Sequence, residues 1–302
     1  MMNKQIKADL ILLMIAITWG STFVLMKNAL SDIPTLKFIA LRFSVAFISL
    51  VLIFNKTLLK INIRSLVLSL ILGILLCGGL TLQVAGLNYT TASKSAFITG
   101  LSVILVPVFS AIILKKIPKA ASMLGVGLAL TGLVMLTSDT TLSFNFGDFL
   151  TLLAALCFAF QIILIDKFTN MEDSIILGIF QVGFAALFSV LVLFVYKTSP
   201  VAYTGNVIIA ILVTAIPATA LALVAQTCVQ KYTSPTRTAL IFAAEPVFGA
   251  VFAYLIPNEM GIREILPIQG VLGCILILLG MLISELNIRK MIITFKKAVL
   301  EK

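Results

Sequence analysis

Apolar runs of about 20 residues recur from one end of this chain to the other, separated by short polar connections. Wound as a helix, each run is long enough to cross about 30 Å of hydrocarbon. The alternating segments of about ten residues that mark a membrane barrel are absent. Composition points the same way. With 61% hydrophobic and 11% charged residues in 302, the chain carries more apolar surface than one soluble core could hide. The chain therefore reads as an all-α polytopic membrane protein with ten transmembrane helices. They are expected near residues 9–27, 35–54, 65–87, 95–114, 120–137, 148–168, 174–196, 206–229, 237–256 and 264–284. No stretch between them is long enough for a soluble domain.

The net charge of +10 sits between apolar runs, where it serves topology and anionic lipid; no nucleic-acid partner is expected. With the N-terminus inside, sixteen of the 22 Lys and Arg residues fall on one side, from Lys4 and Lys7 to Lys302. Only Lys27, Lys94, Lys197 and Arg263 fall on the other, and Lys37 and Arg42 lie within the second span. That bias puts both termini in the cytoplasm and requires an even number of spans. The first apolar run is too long for a signal-peptide core and reads as the first span. The basic tail, residues 285–302, reads as a cytoplasmic segment that keeps the topology, or as a short helix lying along anionic lipid. Cys77, Cys157, Cys228 and Cys274 all lie within apolar runs without a CxxC pair, and there is no histidine. Helix packing, not a metal site, is the expected use of these thiols.

The chain also repeats itself. ADLILLMIAITWG (Ala8 to Gly20) faces GDFLTLLAALCFA (Gly147 to Ala159) at a shift of 139, which also pairs Arg42 with Gln181. A shift of 143 pairs Gln83 with Gln226, Tyr89 with Tyr232, Lys94 with Arg237 and Ala96 with Ala239. PVFSA from Pro107 matches PVFGA from Pro246 at 139, so the fourth span carries one more helical turn than the ninth. GLALTGLVMLTS from Gly127 matches GCILILLGMLIS from Gly273 at 146, with six identities in twelve. Five spans per copy is an odd number, so residues 8–138 and 147–284 are expected to form two five-helix repeats of inverted topology. Such halves can expose one central site to each side in turn.

The motifs WGSTFV (Trp19 to Val24), LRF (Leu41 to Phe43), YTTASKSAFITGLSVILVPVFSA (from Tyr89) and TALIFAAEPVFGAVFAYLIPNE (from Thr238) resemble the drug/metabolite transporter superfamily, in its ten-span EamA branch. The likeness covers about residues 8 to 284. It implies a carrier that exports amino acids, other metabolites or drugs, works in the plasma membrane and needs no cofactor. The fourth span departs from the pattern, ending Lys115-Lys116 where such proteins often carry Gly-Glu, so no role for that acid carries over.

Residues able to line a substrate cavity are Trp19, Gln83, Lys94, Gln161, Gln226 and Arg237. Trp19 could stack on a solute or pack between helices. Gln83, Gln226 and Gln161 are amides deep in spans, which bond neighbouring helices or a solute. Lys94 and Arg237 open the fourth and ninth spans; they either anchor at the interface or form charged entrances, aided by the helix dipole. Arg42 reads first as snorkelling or structurally paired. Glu245, the one carboxylate well inside a span, suits proton coupling or cation binding. The Glu-Pro pair also recurs in the resembled family as a structural element of the ninth span. Pro107 and Pro246 are expected to kink their helices.

No GxxxxGK[ST] phosphate loop is present, and Asp9 sits only at the rim of the first span. An intramembrane enzyme would need clustered acids and histidines, which the chain lacks. The expected function is secondary transport of small amino-acid-like metabolites or amphipathic compounds. A channel or a lipid-flipping protein is the alternative.

Overall fold

The computed structural model describes residues 3–115, 117–136, 145–196, 200–257 and 266–284, and among them every regular element is helical. The helices are α1 (Lys4–Ala29), α2 (Thr35–Ile53), α3 (Ile63–Leu87), α4 (Ala92–Gly100), α5 (Ser102–Ile113), α6 (Ala120–Leu136) and α7 (Phe146–Phe168). There follow α8 (Ser174–Val195), α9 (Gly205–Ala215), a π-helical turn (Ile216–Leu221), α10 (Ala222–Gln230), α11 (Pro235–Phe242), α12 (Glu245–Leu255) and α13 (Ile268–Ser284). Eight helical stretches are long and apolar enough to cross a membrane, and α6 and α13 add two shorter apolar helices. Each of the ten expected spans is thus helical. The tail 285–302, the end of the first repeat at 137–138, and Lys116, Lys197 and Arg263 lie outside the described residues.

Helix starts follow local chemistry. The side chains of Asn3, Asn62, Thr91, Asn145, Asp173, Thr204 and Ser234 each accept a hydrogen bond from a backbone N–H in the following turn. They satisfy donors that a helix start leaves without partners. At Asn145 the bond is reciprocated, because the Asp148 carboxylate accepts from the Asn145 N–H at 2.9 Å.

Three expected spans are interrupted. The fourth is α4 and α5, joined at Leu101; the eighth contains the π turn; the ninth is α11 and α12, joined at Ala243–Ala244. The two joints have the same form, since Leu101 N donates to Ile98 O and Ala244 N donates to Ile241 O, both at 3.1 Å. Pro246 lies in the first turn of α12, so its missing N–H helps end α11 instead of kinking a continuous helix. Pro107 lies inside α5, six residues beyond the Leu101 joint.

Solvent polarity is inverted across the bundle. Phe194 and Ile268 are 82% and 81% exposed, while Gln181, Gln230 and Thr219 are fully buried. Apolar side chains face outward, as a lipid environment favours, and polar groups find partners inside. The largest buried cluster joins α1, α2, α3, α8 and α9 around Phe23, Phe38, Phe43 and Val182. On the flank, α6 and α13 pack backbone to backbone. A Cβ on Gly125 would stand 2.5 Å from Gly280 O, and one on Gly132 would stand 2.5 Å from Gly273 O. One residue number rises as the other falls, so the two helices run antiparallel along a glycine seam.

Candidate functional site

The broken spans surround a central cavity of about 60 Å³. Five sequence-expected residues meet on its wall: Trp19, Gln83, Gln161, Gln226 and Glu245. Arg42 joins them from α2, only 3% exposed, and does not snorkel to the interface. Phe158, Phe242 and Thr219 also line the cavity, and none of them stood out in the sequence.

The π turn builds one wall. Its Ala218 O accepts from the Trp19 indole at 2.8 Å. The indole also rests against Phe242, with ring centroids 4.8 Å apart. One residue on, Thr219 Oγ1 donates to Thr214 O at 2.7 Å, which points its lone pairs toward Arg42. Arg42 Nε donates to that oxygen at 2.8 Å, and Nη1 contacts the Met26 sulfur at 3.3 Å.

The opposite charge comes from the joint in the ninth span. Glu245 is the first residue of α12, and its carboxylate has no hydrogen-bond donor or ion-pair partner among the described residues. Glu245 and Arg42 feel each other's charge across the cavity without touching. In the first copy the residue that opens the second helical segment is Ser102, which lines the same cavity. Helix starts therefore pair Ser102 with Glu245 at a shift of 143, whereas the proline match pairs Glu245 with Val106. The additional turn of the fourth span lies between joint and proline.

The amides make short chains. Gln83 Nε2 donates to Thr99 Oγ1 at 2.9 Å, and Gln161 Nε2 donates to Gln181 Oε1 at 3.0 Å. Gln226 Nε2 donates to Gln230 Oε1 at 3.0 Å, and Gln230 in turn donates to Ile162 O. These bonds tie α3 to α4, α7 to α8 and α10 to α7.

Lys94 and Arg237 are not on the cavity wall. Lys94 Nζ pairs with Asp148 Oδ2 at 2.6 Å, and Arg237 Nη2 pairs with Asp9 Oδ2 at 2.6 Å. Thr90 Oγ1 donates to Asp148 Oδ1 at 2.8 Å, and Thr233, in the place of Thr90 at a shift of 143, stands beside Asp9. Helix α1 spans the two clusters. It carries Asp9 in its first turns, and near its far end Lys27 Nζ donates to Thr90 O at 3.1 Å. Eighteen residues separate Asp9 from Lys27, about 27 Å of helix, with Trp19 between them. Each ion pair thus lies toward one end of the bundle, with the cavity between. The sequence did hold a signal for both acids: Asp9 and Asp148 face each other in the ADLILLM/GDFLTLL match.

The sequence profile of the EamA-like transporter family matches this chain twice, over residues 6–138 and 145–286. The chain belongs to the EamA-like transporter family. An uncharacterized transporter of Archaeoglobus fulgidus is 32% identical over 289 residues, covering 94% of this chain and 88% of that protein. The uncharacterized transporter YyaM of Bacillus subtilis is 25% identical over 299 residues, covering 95% and 96%. A crystal structure at 18% identity superposes with a TM-score of 0.73 over 95% of this chain and 99% of its own. It therefore shares the fold. As an EamA-like transporter, the protein is a multi-pass membrane transporter.

Proposed function

We propose that this EamA-like protein is a secondary carrier that exports small amino-acid-like or amphipathic metabolites by alternating access. Two inverted five-helix repeats, residues 8–138 and 147–284, would move about a central site bounded by Trp19, Gln83, Gln161, Gln226 and Glu245. The observation that carries this reading is the matched ion pairs at the two ends of the cavity. Lys94 and Arg237 are related by a shift of 143, and Asp148 and Asp9 by 139. Each cation belongs to one repeat and pairs with the acid of the other, as exchange of two similar halves requires. The glycine seam agrees. A shift of 148 takes Gly125 to Gly273 and Gly132 to Gly280, so the contact Gly125–Gly280 becomes Gly273–Gly132. This register differs by two residues from the one that identities alone suggested.

In this reading Lys94 and Arg237 are closures at the outer and inner mouths, and Glu245 is the site of proton or cation coupling. The excess of basic residues on one side supports cytoplasmic termini in the inner membrane. The test is flux in proteoliposomes across a panel of amino acids, nucleosides and cationic drugs. Saturable uptake, accelerated by the same solute on the far side, is expected. Absence of flux for the whole panel, with protein correctly folded and oriented, overturns the carrier reading.

A further inference from the structure

We propose that Arg42 forms an anion subsite for an organic monocarboxylate with an apolar body, held within the cavity that the carrier reading assigns to substrate. A guanidinium offers five N–H donors and can be satisfied only by acceptors. Here the protein supplies one good acceptor, Thr219 Oγ1 at 2.8 Å, and one poor one, the Met26 sulfur at 3.3 Å. No carboxylate among the described residues comes within ion-pair distance, although Arg42 is only 3% exposed. Leaving a buried cation that short of partners is costly unless something else completes its shell.

The arrangement around Arg42 is built to hold it in place. Thr219 Oγ1 is committed as an acceptor by its own bond to Thr214 O, so Nε is fixed and the remaining N–H groups are not drawn into that wall. The π turn that carries Thr219 has no counterpart in α3, which is continuous from Ile63 to Leu87. At the place matching Arg42, a shift of 139, the second repeat has the neutral Gln181, so the subsite is single and off the axis of the repeats. Around it stand Leu76, Leu80, Leu223, Phe158 and Phe242, which suit an apolar body. Planar, paired N–H groups match a carboxylate better than any neutral acceptor does.

Trp19 is the only tryptophan in the chain and lines the same cavity, so its emission reports binding there directly. The full-length protein in lipid nanodiscs would be titrated with cyclohexanecarboxylate and, separately, with its neutral isostere cyclohexanecarboxamide. A saturable change in emission is expected, with the carboxylate binding about tenfold more tightly than the amide. Arg42→Gln should abolish that preference. Thr219→Val keeps the charge, loosens its orientation and should reduce the preference about fivefold, guarding against a misfolded Arg42 variant. Equal affinity for the two probes, no binding of either, or a preference that survives in both variants overturns the subsite. Anion binding without flux leaves the subsite standing and removes the carrier; flux without carboxylate preference does the reverse.

Discussion

Trp19 is held by one hydrogen bond to Ala218 O and one ring contact with Phe242, and both partners belong to interrupted spans. Trp19→Phe keeps the ring contact and orphans the carbonyl. Thermal unfolding should report a loss of about 1 kcal/mol, and solute affinity should fall because the π turn loses its tie to α1. Glu245 differs in having no protein partner at all among the described residues. If it carries the coupling ion, Glu245→Gln should leave solute exchange at equal concentrations intact while flux loses its response to an imposed pH gradient. Loss of both activities together would assign Glu245 to solute binding instead. The residue scale is also where sequence reading fell shortest. That Trp19, Gln83 and Glu245 are polar features of apolar runs was visible, because a polar group in hydrocarbon needs a partner. Which way Arg42 points was not, because the answer lies in a threonine 177 positions away on a turn of unusual winding.

Among the elements, the glycine seam between α6 and α13 makes the sharpest contrast. A Cβ at Gly132 would meet backbone of α13 at 2.5 Å, whereas nothing lies within 4 Å of one at Gly127 on the same helix. Gly132→Ala should cost about 1–3 kcal/mol in thermal stability. Gly127→Ala should be neutral, or stabilising by up to about 1 kcal/mol through helix propensity. At the connection between α7 and α8, Glu172 accepts from Asn62 Nδ2 at 3.0 Å and Ser65 Oγ at 2.7 Å, with Arg64 at 3.4 Å. The bonds from Asn62 and Ser65 lead in holding its carboxyl below the usual glutamate range. A lowered native value means the clasp stabilises the fold above the unfolded-state value, near pH 4, and fades as pH falls through the native one. The stability gap between wild type and Glu172→Gln should therefore be full at neutral pH and close in acid, as a melting series over pH would reveal. Helix number and most ends were legible because run length and capping residues are local properties. The joints at Leu101 and Ala243–Ala244 were less so: the prolines marked them only approximately, and in the fourth span the break falls six residues before the proline.

At the scale of the whole molecule, the carrier reading makes the two ion pairs the balance between its ends. Asp148 accepts bonds from Lys94, Thr90 and the Asn145 N–H, and its side chain is completely buried. Removing it by Asp148→Asn should open the outer mouth, and Asp9→Asn the inner one, each shifting the population about tenfold. Labelling of Thr99→Cys by a membrane-impermeant maleimide added outside, in a chain stripped of its four native cysteines, should rise in the first variant and fall in the second. Exchanging the charges at Lys94 and Asp148 together should restore the parent rate. The self-similarity was readable from sequence in stretches shifted by 139, 143 and 146; the partners of Lys94 and Arg237 were not, since each acid lies in the opposite half. The four residues inserted between Leu101 and Pro107 bear on this balance too. A rocker made of two identical arms would rest equally on either side. With one arm a helical turn longer, and a carboxylate on the other where the first has Ser102, the two resting positions cannot be equal in energy. In the carrier reading the empty protein would then have a preferred tilt, set by its own covalent structure before any gradient is applied.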